Sequence, residues 1–96
     1  MSMNVHIFAS RSVICEKTGE RDTQEQHFDC WQTPTSDSYA IYGKPDRPEE
    51  ERIEAYREWV RNQPIPKKYS TEHLEELDAW VKFYTARGYS IHLVVW

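Results

Sequence analysis

A chain of 96 residues and 11.5 kDa has room for one domain and not for two. Twelve Lys and Arg against sixteen Asp and Glu give a formal net charge of −4. That argues against nucleic-acid phosphates or anionic lipid as the main partner, because both need a concentrated positive field. Aromatic residues make up 14%, with four Trp and six Tyr, so the chain is read as folded despite a mean hydropathy of −0.85.

The first third carries strand patterns. Met3, Val5, Ile7 and Ala9 alternate with Asn4, His6, Phe8 and Ser10, the period of a half-buried strand, and Ser12-Val13-Ile14-Cys15 continues it past a bulge or bend at Ser10-Arg11. Lys17-Thr18-Gly19-Glu20 is a turn in which Gly19 supplies the positive φ that hairpins need. The return from Thr23 to Trp31 is polar through Gln24, Glu25 and Gln26, which fits an exposed or edge strand. Residues Thr33 to Ser38 are loop chemistry, and Tyr39-Ala40-Ile41-Tyr42, ended by Gly43, reads as a short third strand.

The period then changes. Lys44-Pro45-Asp46-Arg47-Pro48 leads into a helix from about Pro48 to Arg61, with Glu49, Glu50 and Glu51 at its positive end and Ile53, Tyr56 and Trp59/Val60 on one face. Asn62 to Lys68, holding Pro64 and Pro66, is the connector. A second helix starts near Ser70 or Thr71 and carries Leu74, Leu77, Val81 and Tyr84, with Gly88 as its C-terminal cap. Tyr89 to Trp96 is apolar on both faces and is expected at the centre of the sheet. The expected fold class is α+β, in the order β-β-β-α-α-β, with two helices on one face of a small, mostly antiparallel sheet.

No apolar run approaches the roughly 20 residues of a membrane helix. The opening Met1 to His6 lacks the basic start and apolar stretch of a secretory signal, so a cytoplasmic location is expected. Cys15 and Cys30 then read as free thiols.

Chemical motifs are sparse. His27-x-x-Cys30, with Cys15 and His6, is the one grouping a metal-binding or enzymatic reading can use, but positions 27 and 30 of a regular strand point to opposite faces. No nucleophile elbow and no phosphate-cradling glycine loop surrounds any Ser or Cys. Glu49 with Arg52, Glu54 with Arg57 and Glu58 with Arg61 fall at i,i+3 and read as surface pairs. Neither a catalytic site nor a cofactor is expected. The acidity is spread along the chain and broken at Lys67-Lys68, unlike the phosphate ladder that a DNA mimic presents.

The most specific local feature is Pro64-Ile65-Pro66-Lys67-Lys68-Tyr69. One reading is a plain interhelical spacer. The other is a recognition loop: stiff, so that little entropy is lost on binding, with lysines and a tyrosine as handles and with X-Pro bonds that a host prolyl isomerase can act on. Trp59 is a further candidate anchor, since four Trp exceed what so small a core easily hides.

Taken together, the length, the opening Met3-Asn4-Val5-His6-Ile7-Phe8, the acidic helix from Pro48 to Val60 and the Pro64-Ile65-Pro66 loop resemble a small early protein of temperate lambdoid phages, within that group the anti-RecBCD proteins of the phage recombination region. The likeness covers essentially the whole chain. It implies a non-enzymatic protein that binds the host RecBCD helicase–nuclease, so that linear phage DNA survives and enters phage recombination. It carries no catalytic residues with it; the loop and Trp59 stand on the physical argument above.

Overall fold

A computed structural model describes residues 3–96 and orders them as β1 (Val5–Ile14), β2 (Arg21–Phe28), α1 (Thr35–Tyr42), α2 (Glu49–Arg61), α3 (Lys67–Thr85) and β3 (Ser90–Val95). The fold is α+β, a three-stranded antiparallel sheet with three helices. Its order is β-β-α-α-α-β, so the expected third strand is a helix. A four-residue apolar run does not distinguish strand from helix by itself. Alternation would put Tyr39 and Ile41 on the same side, whereas Ile41 is buried together with Ser38, three residues earlier, and Tyr39 is exposed. Pro34 precedes the first turn.

The sheet order is β2-β1-β3. Val5, Ile7 and Ala9 of β1 are buried, and Val5 and Ile7 meet Ile41, Ile53, Tyr56, Val60, Leu77 and Leu93 in a single core beneath the helices. His6, Phe8 and Ser10 alternate onto the opposite face. There His6 stacks on Trp96 with ring centroids 3.6 Å apart, and Phe8 lies against His27 and His92. The final strand is therefore an edge, not the centre. Its second apolar face, Val94 and Trp96, belongs to this uncovered side, where Trp96 is 53% exposed.

Polar groups fix the chain ends and corners. Thr33 Oγ1 accepts the Val5 N–H at 3.1 Å, and Thr35 Oγ1 accepts that of Met3 at 3.2 Å, extending the sheet's hydrogen bonding past β2. The buried Ser38 hydroxyl lies against Thr33 Oγ1 and the Met3 carbonyl, which ties α1 to the same strand end. At the other end of α1, Arg47 Nη1 donates to the Ala40 and Ile41 carbonyls, both at 3.1 Å. Arg52 Nε donates to Tyr42 O at 2.9 Å, and its Nη2 to Lys44 O and Pro45 O at 2.9 and 3.1 Å. Read from sequence as a surface partner of Glu49, Arg52 does pair with it at 3.2 Å but is only 4% exposed. It serves as the C-terminal clamp of α1, supplying donors to carbonyls that no helical N–H reaches.

Among the described residues no helix is long and apolar enough to cross a membrane.

Candidate functional site

The corner between α2 and α3 holds most of the residues singled out from sequence. Helix α2 closes with Asn62 N–H on the Glu58 and Trp59 carbonyls, and Gln63 Nε2 folds back onto Trp59 O at 3.0 Å. Pro64 and Pro66 then turn the chain, both through trans peptide bonds. Helix α3 begins at Lys67 with Pro66 as its cap, three residues earlier than the Ser70 start expected. Proline's fixed φ and missing donor suit that position, and Ser70 turns its hydroxyl to Lys67 O at 3.0 Å inside the first turn. Lys67, Lys68 and Tyr69 are thus helical residues, not loop.

All six residues from Pro64 to Tyr69 are exposed, Ile65 by 38% and Tyr69 by 58%. Beside them a groove of about 350 Å³ runs between the helices, with Arg61, Lys67, Leu74, Glu75 and Asp78 in its lining. Two lysines in a first turn lie against the positive end of the helix macrodipole, each at a cost of about 0.3–1 kcal/mol. Among the described residues neither lysine forms an ion pair that offsets this. Arg61, by contrast, is bound by Glu54 and Glu58.

Trp59 stands apart from this corner. Its indole N–H donates to Asp37 Oδ2 at 3.0 Å and its ring stacks near Tyr56, so it braces α2 against α1 along a separate groove with Ala40, Ile41 and Ala55.

Sequence reasoning missed a polar cluster inside the core. The Tyr56 hydroxyl accepts the Trp31 backbone N–H at 3.0 Å and lies 2.8 Å from His73 Nε2. His73 is held between Trp31, stacked at 4.5 Å, and Phe28. Burial pushes the His73 pKa down, the Tyr56 pKa up and the Cys30 thiol up to about 11. The thiol and the phenol are thereby held protonated, the reverse of what an activated nucleophile needs. The signal available in sequence was spacing: Tyr56 lies three and four residues from the core positions Ile53 and Val60, and His73 four before Leu77.

The residues of the metal reading are dispersed. Cys15 is exposed at the hairpin tip, where hydrogen bonds from Thr18 and Lys17 pull its thiol below the usual range. Cys30 lies beyond the opposite end of that hairpin, and His27 faces Phe8 on the uncovered side of the sheet. Among the described residues no group of three or more His, Cys, Asp or Glu is placed to hold a metal ion.

Comparison with protein-family models, with curated proteins and with solved structures finds no match.

Proposed function

We propose that this protein is a phage modulator that acts by contact, not by catalysis, and that it docks through the α2–α3 corner onto the host RecBCD helicase–nuclease in the cytoplasm. Linear phage DNA is then protected and directed to recombination. The observation that carries a contact role is the segment from Pro64 to Tyr69, stiff and wholly exposed, with two lysines in a helix end that disfavours them and no partner for them within the described chain. Apolar contact comes from Ile65 and Tyr69 at the same corner. RecBCD as the partner rests on the resemblance described above. The Gln63-Pro64 and Ile65-Pro66 bonds are exposed enough for a host prolyl isomerase to read as well.

The test is a pull-down from bacterial lysate with exonuclease assays on linear duplex DNA. RecBCD subunits are expected on the wild-type protein, with altered exonuclease activity. Replacing both lysines (Lys67→Glu with Lys68→Glu) is expected to abolish capture while leaving the fold intact or slightly stabilised, because glutamates suit a helix start. Recovery of a different host protein would replace RecBCD as the target and keep the contact mode. Capture that survives both this variant and Ile65→Asp would remove the corner from the proposal.

A further inference from the structure

The two outer edges of the sheet are treated differently. Asn4 and Trp96 exchange backbone hydrogen bonds, so the alternation of an antiparallel ladder turns the N–H groups of Ile91, Leu93 and Val95 away from β1. That edge is guarded: Glu49, the first residue of α2, accepts the Leu93 N–H at 2.8 Å. On the other side, Cys15 N–H donates to Glu20 O, and the same alternation turns the N–H and C=O groups of Arg21, Thr23, Glu25 and His27 outward. Among the described residues none of these backbone groups has a partner outside the sheet.

This open edge belongs to an unsupported arm. Strand β3 pairs with β1 only from Val5 to Ser10, so from Arg11 to Gln24 the hairpin has two strands and no third. Val13 and Ile14 are 38% and 59% exposed there, and the described residues extend 53 Å along their long axis against 29 and 22 Å across. A two-stranded ribbon is marginal by itself in water, and a further strand is what stabilises it.

We propose that the further strand comes from a second copy of this chain, whose β2 pairs antiparallel with this one across a two-fold axis at Thr23. Charge selects both the occupant and the register. With the axis at Thr23, Arg21 lies opposite the partner's Glu25 at both ends of the contact, and two threonines meet at its centre, both favourable cross-strand pairs. An axis at Asp22 or Glu25 sets like carboxylates directly opposite each other. One at Gln24 sets Arg21 against histidine and leaves Glu25 facing threonine. Of the axes from Asp22 to Glu25, only Thr23 pairs opposite charges at outward-pointing positions, where each opposed pair exchanges two backbone hydrogen bonds. The three strands of each copy then form one continuous sheet of six, and β2 ceases to be an edge.

Sedimentation velocity on the full chain tests this, with circular dichroism confirming that each variant folds. A dimer is expected for the wild type. Arg21→Glu and Glu25→Arg should each weaken association by at least about tenfold, since two attractive pairs become repulsive, and the double reversal should restore it. Opposed residues of a hydrogen-bonded pair lie about 5.5 Å apart at Cα, within disulfide range. In a Cys15→Ser background, Thr23→Cys is therefore expected to cross-link on mild oxidation and Asp22→Cys is not. A wild-type monomer through high micromolar concentrations overturns the proposal. So does a double reversal that fails to restore the dimer, or equal cross-linking at positions 22 and 23.

Discussion

Replacing Tyr56 by Phe isolates the polar cluster from the packing around it. The ring is fully buried and the substitution keeps it, so the apolar contribution is unchanged. What goes is one oxygen that accepts the Trp31 N–H at 3.0 Å and is hydrogen-bonded to His73 Nε2 at 2.8 Å. The hydroxyl accepts from Trp31 N–H and shares one further hydrogen bond with Nε2, so both groups depend on the same oxygen. Tyr56→Phe leaves an unpaired backbone donor and an unpaired ring nitrogen. Each costs about 1–3 kcal/mol where water does not reach, and with both sites only partly shielded a total of about 2–4 kcal/mol is expected. For a chain of this size that lowers Tm by roughly 10–25 °C. The assay is urea unfolding followed by tryptophan fluorescence, with an unchanged m-value showing that the same surface is exposed on unfolding. A double-mutant cycle with His73→Leu should return a coupling of about 1 kcal/mol. A loss below about 0.5 kcal/mol for Tyr56→Phe would refute the reasoning, since it would mean that both groups find other partners at no cost.

Three further expectations concern the rest of the scaffold. Arg52→Met strands the Tyr42 and Pro45 carbonyls, leaves Lys44 O only the Arg47 N–H, and should cost about 3–5 kcal/mol in the same assay; Arg52→Lys should recover little, because a single ammonium does not span that fork. Gly43→Ala should destabilise by about 1–2 kcal/mol or more, since Gly43 has φ +72° and an added Cβ would sit 2.5 Å from Arg47 Cδ, displacing the arginine that caps α1; a neutral result by thermal melting would sink that account. Stability should peak near neutral pH. His73 is held below its ordinary pKa of 6.5, mainly by burial and against the pull of Glu76 and Asp29, so the unfolded chain binds more protons below that value and stability falls on acidification. Cys30 is held at about 11 against an ordinary 9.0, so the unfolded chain releases its proton first and stability falls as pH rises across that window; Tyr56 acts in the same sense. Urea midpoints at about pH 5.5, 7.5 and 10 read both limbs, and Cys30→Ala should flatten the alkaline one.

How much of this was legible in the sequence depended on whether the determining contacts were local. Helix α2 shows in Ile53, Tyr56 and Val60, because a three-to-four-residue spacing of apolar groups states its own period. The hairpin shows in Gly19, whose φ of 73° few other residues adopt. Helix α1 did not show, because half of its buried face is Ser38, a hydroxyl rather than an apolar group, whose burial depends on Met3 O, 35 residues away, as well as on nearby Thr33 and Pro34. Arg52 looked like half of a surface pair for the same reason: i,i+3 spacing reports Glu49 but not the three carbonyls that bury it. The place of β3 was misjudged on a different ground. Apolar residues on both sides of β3 show neither that both faces are covered, since Val94 and Trp96 lie on the open side, nor how many neighbours it has along the sheet. Central β1 alternates cleanly because only one face of this sheet is covered.

The candidate site was legible for a related reason. Among the described residues no buried side-chain nitrogen or oxygen lacks a partner, so the interior carries no unpaired polar group. The features that this leaves without an internal partner lie at the surface. Two lysines oppose a helix dipole at the start of α3, and a polar strand edge runs unguarded beside an arm that exposes Val13 and Ile14. Neither helps a lone copy of the chain to fold. A lysine in a first turn and an outward N–H on an edge strand both cost or forgo stability that ordinary substitutions would recover: glutamate at the first, proline at the second. The corner and the arm are the places where the sequence departs from what this fold alone requires, and that departure is what the two proposed contacts, with a host protein and with a second copy of the chain, would account for.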